Sequence, residues 1–97
     1  MTHYVLLKFK PGTFNNDVLS LAEKTFAQLV DALDGITQAQ VQSNCVARDA
    51  NADLLVKLKL TGPEMLDVYL RHPLHVAFVK QTDHNVTCRV SFDTECD

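Results

Sequence analysis

Tyr69-Leu70-Arg71-His72-Pro73-Leu74-His75-Val76-Ala77-Phe78 is the stretch on which the reading of this chain turns. It sets a phenol, two imidazoles and an aromatic ring around one proline. Pro73 lacks the amide hydrogen that a helix arriving from Tyr69 would need, and its ring clashes with the preceding turn. The same residue suits the first position of a new helix, where the amide has no partner anyway. The sequence therefore predicts a helix ending near Arg71, a break at His72 and a second helix opening at Pro73. No other stretch of the 97 residues gathers as many groups capable of acid–base or hydrogen-bond chemistry.

Upstream of the break, Thr61-Gly62-Pro63 opens the first half of the split helix, with Glu64 favourable in its first turn and Met65, Val68 and Tyr69 on one face. Before it, Leu54, Val56, Leu58 and Leu60 alternate with Leu55, Lys57 and Lys59, which predicts a strand. Ile36 to Cys45 is a weaker strand, with Ala39 and Val41 opposed to Gln38, Gln40 and Gln42. The polar run Arg48 to Ala52 joins the two as a hairpin. Further back, Asn15 or Asn16 caps a helix in which Val18, Leu21, Ala22, Thr25, Phe26, Leu29 and Leu33 recur at helical spacing. Gly35 stands where a left-handed C-cap is wanted. His3 to Lys10 alternates as the first strand: His3, Val5, Leu7 and Phe9 against Tyr4, Leu6 and Lys8, ended by Pro11-Gly12.

Downstream, Leu74, Val76, Phe78 and Val79 fill a short helix ending near Thr82. Val86, Cys88, Val90 and Phe92 then alternate with Thr87, Arg89, Ser91 and Asp93 in a last strand. The order β-α-β-β-α-β, with its second helix split, predicts one α+β domain over residues 1–97. Its fold class is ferredoxin-like: an antiparallel four-stranded sheet with helices on one face. The other face then needs cover, and Tyr4, Leu6 and Leu55 lie there. The simplest cover is the same face of a second copy, so the expected partner is the chain itself, in a two-fold homodimer.

Composition narrows the partners. A net charge of −3 with no basic run argues against nucleic acid and anionic membrane. At 97 residues the chain buries only roughly 60–65% of its unfolded surface, so a partner subunit adds needed core. Cys45, Cys88 and Cys96 are odd in number and form no CxxC pair, a pattern of reduced thiols. Cys88, alternating with Val86 and Val90, reads as a small core hydrophobe. The N-terminus shows no basic region followed by an apolar one, and no apolar run is long enough to span a bilayer. The expected localisation is cytoplasmic.

If Pro73 is the first helical residue, His75 lies in the first turn, where the helix dipole disfavours imidazolium. A neutral imidazole can accept or donate a proton near neutral pH. Tyr69 can donate a hydrogen bond to a developing oxyanion. His3 shares the helix-facing side with Val5 and can reach the same place, while Phe26, Leu29, Leu54 and Val56 supply an apolar wall. His72 reads as a cap or a solvent-facing residue. No acidic residue or cysteine sits at ligand spacing beside His72 and His75, so no metal is expected, and no cofactor motif is present.

His3-Tyr4-Val5-Leu6-Leu7-Lys8-Phe9-Lys10-Pro11-Gly12 and the Tyr-x-x-His-Pro-x-His-x-x-Phe pattern from Tyr69 to Phe78 resemble the stress-responsive A/B barrel (Dabb) family, over nearly the whole chain. The resemblance implies a ferredoxin-like protomer and a homodimer whose sheets close into a barrel. It is similar through the histidine-proline motif to a plant member that is a polyketide cyclase. There the motif's tyrosine and second histidine carry the chemistry, and they match Tyr69 and His75; a first-strand histidine matches His3. Two pocket positions depart: a tyrosine falls on Phe26 and a histidine on Leu54, which implies a more apolar pocket.

Three functions follow. The first is a homodimer binding a small, largely apolar molecule among His3, Val5, Phe26, Leu29, Leu54, Val56 and Phe78, with Tyr69 and His75 doing cyclase- or lyase-like proton transfer. The second is a non-enzymatic stress-responsive dimer in which these residues only pack and cap. The third is a cofactor-free barrel monooxygenase.

Overall fold

The computed structural model describes residues 1–95. Its elements are β1 (Thr2–Phe9), α1 (Asn16–Ala32), β2 (Ile36–Ser43), β3 (Leu54–Leu60), α2 (Glu64–Arg71), α3 (Pro73–Thr82), a 3₁₀ turn (Asp83–Asn85) and β4 (Val86–Thr94). The four strands form one sheet in the order β2-β3-β1-β4, antiparallel throughout. This is the ferredoxin-like arrangement.

Local chemistry sets the ends. The Asn15 side chain accepts a hydrogen bond from the Val18 amide at 3.1 Å, satisfying one orphan donor of α1. Gly12, at φ 77°, makes the turn after β1 in a region that side-chain-bearing residues avoid. Gly35 does not have the left-handed conformation expected of it. Helix α1 instead closes through the Leu33 amide on the Leu29 carbonyl, 3.0 Å away. Glycine at 35 leaves space that the flexible Met65 side chain fills, so a Cβ there would make that side chain move.

Opposed residues in an antiparallel pair point the same way. Val5 faces Val56 and Ser91, Leu7 faces Leu54 and Arg89, and His3 faces Leu58 and Asp93. On this side the helices cover β1 and β3: Val5, Leu7, Phe9, Leu54, Val56, Leu58 and Leu60 are buried against Ala22, Phe26, Leu29, Tyr69 and Phe78. Met65 and Leu66 pack on the same core, whereas Val68 is exposed, so the inner face of α2 is rotated from the expected one.

The opposite sheet face carries Tyr4, Leu6, Leu55, Val90 and Phe92, of which Leu6, Val90 and Phe92 are exposed. Phe92 is 63% exposed, and its ring lies 6.2 Å from that of Tyr4. Cys88 is exposed on this side as well, not in the core. The reason is a bulge. Lys8 pairs with Cys88 but Phe9 pairs with Val86, leaving Thr87 as an extra residue that puts Val86 and Cys88 on opposite faces.

Candidate functional site

The break at the proline builds the site. His72 is extended, at ψ 137°, as a residue before proline must be. Its amide closes α2 on the Tyr69 carbonyl at 3.1 Å, and its ring nitrogen Nδ1 accepts from the Leu74 amide at 3.1 Å to cap α3. Pro73 follows at the first turn. His75 folds back across the break, its Nδ1 3.0 Å from the Leu70 carbonyl oxygen. A carbonyl only accepts, so this bond assigns the proton to Nδ1 and leaves the Nε2 lone pair free.

Tyr69, 1% exposed, lies between two imidazoles. The His75 ring centroid is 4.5 Å from that of Tyr69, and the His3 ring meets it edge-on at 5.8 Å. Phe26 stands 6.3 Å from Tyr69 and 5.5 Å from Phe78. His3 is itself buried, and its Nδ1 is 2.5 Å from Asp93 Oδ1. Both imidazoles thus present Nδ1 to a fixed acceptor.

Burial disfavours charge on both central groups. It lowers the His75 pKa, against the raising effect of the Leu70 bond, and the nearby charges of Arg89 and His3 lower it further. Burial raises the Tyr69 pKa, and Arg89 offsets a part. At neutral pH a neutral imidazole therefore sits beside a neutral phenol, an acceptor beside a donor. Desolvation, not the end of α3, is the leading cause for His75.

His3, Tyr69, His75, Phe26 and Phe78 come together. Val5, Leu29, Leu54 and Val56 are buried in the core that continues from them. Leu54 pairs with Leu7, four residues along β1 from His3 and so roughly 13 Å away. Three residues escaped the sequence reading: Arg89, Ser91 and Asp93, exposed on the helix-facing side of β4. Their alternation with Val90 and Phe92 was visible, but the face they occupy was not.

Grooves open beside Phe26 and Val30, beside Leu6 and Leu54, beside Pro63 and Leu66, and beside Lys8 and Asp53, and neither Tyr69 nor His75 lines these. One, of about 470 Å³, runs between Pro63, Leu66 and Asp93, and so reaches the carboxylate that holds His3. Among the described residues no set of three or more His, Cys, Asp or Glu is placed to hold a metal ion. No helix among them is long and apolar enough to cross a membrane.

The family model described as the stress responsive A/B barrel domain matches residues 1–96. No curated protein matches the sequence. Among solved structures, a dimeric ferredoxin-like protein of unknown function from Thermobifida fusca is 20% identical at a TM-score of 0.76, over 94% of this chain and 85% of its own. A dimeric protein of unknown function from Bacteroides fragilis is 18% identical at a TM-score of 0.78, over 96% and 94%. A hydroxynitrile lyase from Passiflora edulis is 10% identical at a TM-score of 0.74, over 99% and 94%. At these identities the structural likeness is one of fold.

Proposed function

This chain belongs to the stress responsive A/B barrel domain family, and from that premise we propose that it is a homodimer that holds a small, largely apolar carbonyl compound beside Tyr69 and His75 and moves a proton on it. The carrying observation is the Tyr69–His75 pair at 4.5 Å with the His75 Nδ1 tied to the Leu70 carbonyl. That tie aims Nε2 away from the backbone as a base. In the proposed step Nε2 takes a proton from the carbon next to the carbonyl, and the electron pair moves to the carbonyl oxygen. The Tyr69 hydroxyl donates a hydrogen bond to that oxyanion. The enolate then attacks a second carbonyl, as in a cyclase, or expels a leaving group, as in a lyase. His3, Phe26 and Phe78 hold the ring of Tyr69 in place, with Val5, Leu29, Leu54 and Val56 behind them.

The dimer part of the reading rests on the uncovered face of Tyr4, Leu6, Leu55, Val90 and Phe92, and on structural neighbours that are dimeric. A monomer mass by light scattering at micromolar concentration would remove it.

A second reading is favoured by the near-complete burial of Tyr69. A non-enzymatic dimer, active only in association, would use the same side chains for packing. Turnover separates the two. In a screen of aromatic and polyketide-like carbonyl compounds, a converted compound should lose its reaction with Tyr69→Phe and with His75→Ala. Conversion that is as fast in both variants rules out the assigned roles.

A further inference from the structure

We infer that Asp93 is a positioning residue for the proposed reaction: acting through His3, it fixes where the Tyr69 phenol stands. The inference rests on the proton-transfer reading above and adds a residue to it.

The sheet itself builds the bond between His3 and Asp93. The two residues are partners across β1 and β4, and Leu58 is the partner of His3 on β3. His3 is 4% exposed, and its Nδ1 is 2.5 Å from Asp93 Oδ1. A carboxylate accepts, so the proton of this bond sits on Nδ1. The bond therefore sets both the rotation of the ring and its tautomer. It does so from one strand to the next, and strands hold a side chain more closely than loops do. The Asp93 side chain keeps 40% of its surface exposed and lines the groove beside Pro63 and Leu66. One end of the pair is solvated and the other end is buried.

The buried end meets Tyr69. The His3 ring stands edge-on to the Tyr69 ring at 5.8 Å. His75 lies against the same ring at 4.5 Å and is tied through its own Nδ1 to the Leu70 carbonyl. The phenol is thus flanked by two imidazoles, one anchored on α2 and the other on β4. A leucine or phenylalanine at position 3 would pack on Leu58 and Tyr69 with no partner required, whereas a buried imidazole needs one. A buried pair of this kind is weak evidence for stability; its use is to select one arrangement. The arrangement selected here is that of the group assigned to the oxyanion. A displacement of about 1 Å at such a group can cost roughly a hundredfold in rate.

The test uses 4-phenyl-2-butanone in D₂O with the full-length protein, comparing wild type, Asp93→Asn and Asp93→Glu. Deuterium exchange is followed over a range of ketone concentrations, so that kcat and KM are separated. In parallel, long-range ¹H–¹⁵N spectra read which nitrogen of His3 carries the proton, and circular dichroism checks the fold. Asp93→Asn is expected to lower kcat about tenfold, part of the loss that misplacing a reacting group can cause. KM is expected to stay within about twofold, because the carboxylate does not hold the ligand. Asp93→Glu is expected to recover part of kcat. Wild type is expected to carry a proton on His3 Nδ1, and Asp93→Asn to release it toward Nε2. A kcat in Asp93→Asn equal to wild type overturns the inference and leaves the roles of Tyr69 and His75 standing. A rise in KM alone overturns it too, since Asp93 would then be a binding group. A fall in kcat with the His3 proton unmoved also overturns it, because the effect does not run through His3. If wild type gives no exchange above buffer, the proton-transfer reading fails and this inference fails with it.

Discussion

β3 and β4 both flank β1, and on the same side of the sheet they are opposites. β3 turns Leu54, Val56, Leu58 and Leu60 inward and all four are buried; β4 turns Arg89, Ser91 and Asp93 the same way and all three are exposed. The helices account for the difference. α1 lies over β2 and packs on α3, so the covered half of the sheet is the β2–β3–β1 half. On the helix-facing side β4 keeps Arg89, Ser91 and Asp93 exposed. The covered half supplies stability, and from the uncovered half Asp93 holds His3, whose ring stands edge-on to Tyr69. On the other sheet face the apolar residues of β4 stay exposed, where a second copy could cover them.

The largest test of this contrast is cavity creation. Leu58→Ala removes a side chain that is 0% exposed and is expected to cost about 2–5 kcal/mol in urea unfolding. A cost under about 1 kcal/mol would mean that β3 is not the sealed strand. Next is Phe92→Asp, placed twice at a two-fold interface. It is expected to weaken the dimer at least about a hundredfold, roughly 2.7 kcal/mol, giving a monomer by light scattering with unchanged circular dichroism. A persistent dimer would put the interface elsewhere.

The pH dependence is smaller and has a definite sign. Folding lowers the His75 pKa below its ordinary value of about 6.5, so the unfolded chain binds more protons there. Stability should fall as pH drops through about 6.5 and level off below the folded pKa. The slope stays well under the one-proton limit of about 1.4 kcal/mol per pH unit, because the ring is only half buried. His75→Gln should flatten this limb. At the other end, burial raises the Tyr69 pKa above about 10, so stability is lost as pH rises beyond that value, and Tyr69→Phe should remove that loss. The smallest effect belongs to Ser91→Ala on the open strand, within about 0.5 kcal/mol of wild type. A larger cost would show that Ser91 is packed and that this side of β4 is not open.

Much of this was legible in the residues. Pro73 forces His72 into extended backbone whatever surrounds it, so the split helix could be read locally, and the same holds for the Asn15 cap. Tyr69 and His75 flank that break, so their proximity followed. What failed depended on long-range pairing. Thr87 is a bulge only because of how β4 registers on β1, and no local pattern marks it. The usual rule that apolar residues face the helices then misplaced Cys88, since Val90 and Phe92 face the uncovered side of the sheet. Arg89 and Asp93 were missed for the same reason. Gly35 was assigned a left-handed cap because Met65, which needs the space, lies 30 positions away in sequence.

Solvent deuterium exchange tests the central claim most directly, because it reads proton abstraction without needing the natural substrate. 4-Phenyl-2-butanone is incubated in D₂O with wild type, His75→Ala and Tyr69→Phe, and deuterium at the carbons next to the carbonyl is followed by NMR. Wild type is expected to accelerate exchange over buffer, and each variant to lose at least about tenfold of that acceleration, with general acid–base contributions commonly 10²–10⁴. A wild-type rate equal to buffer, or equal rates in all three proteins, would contradict it.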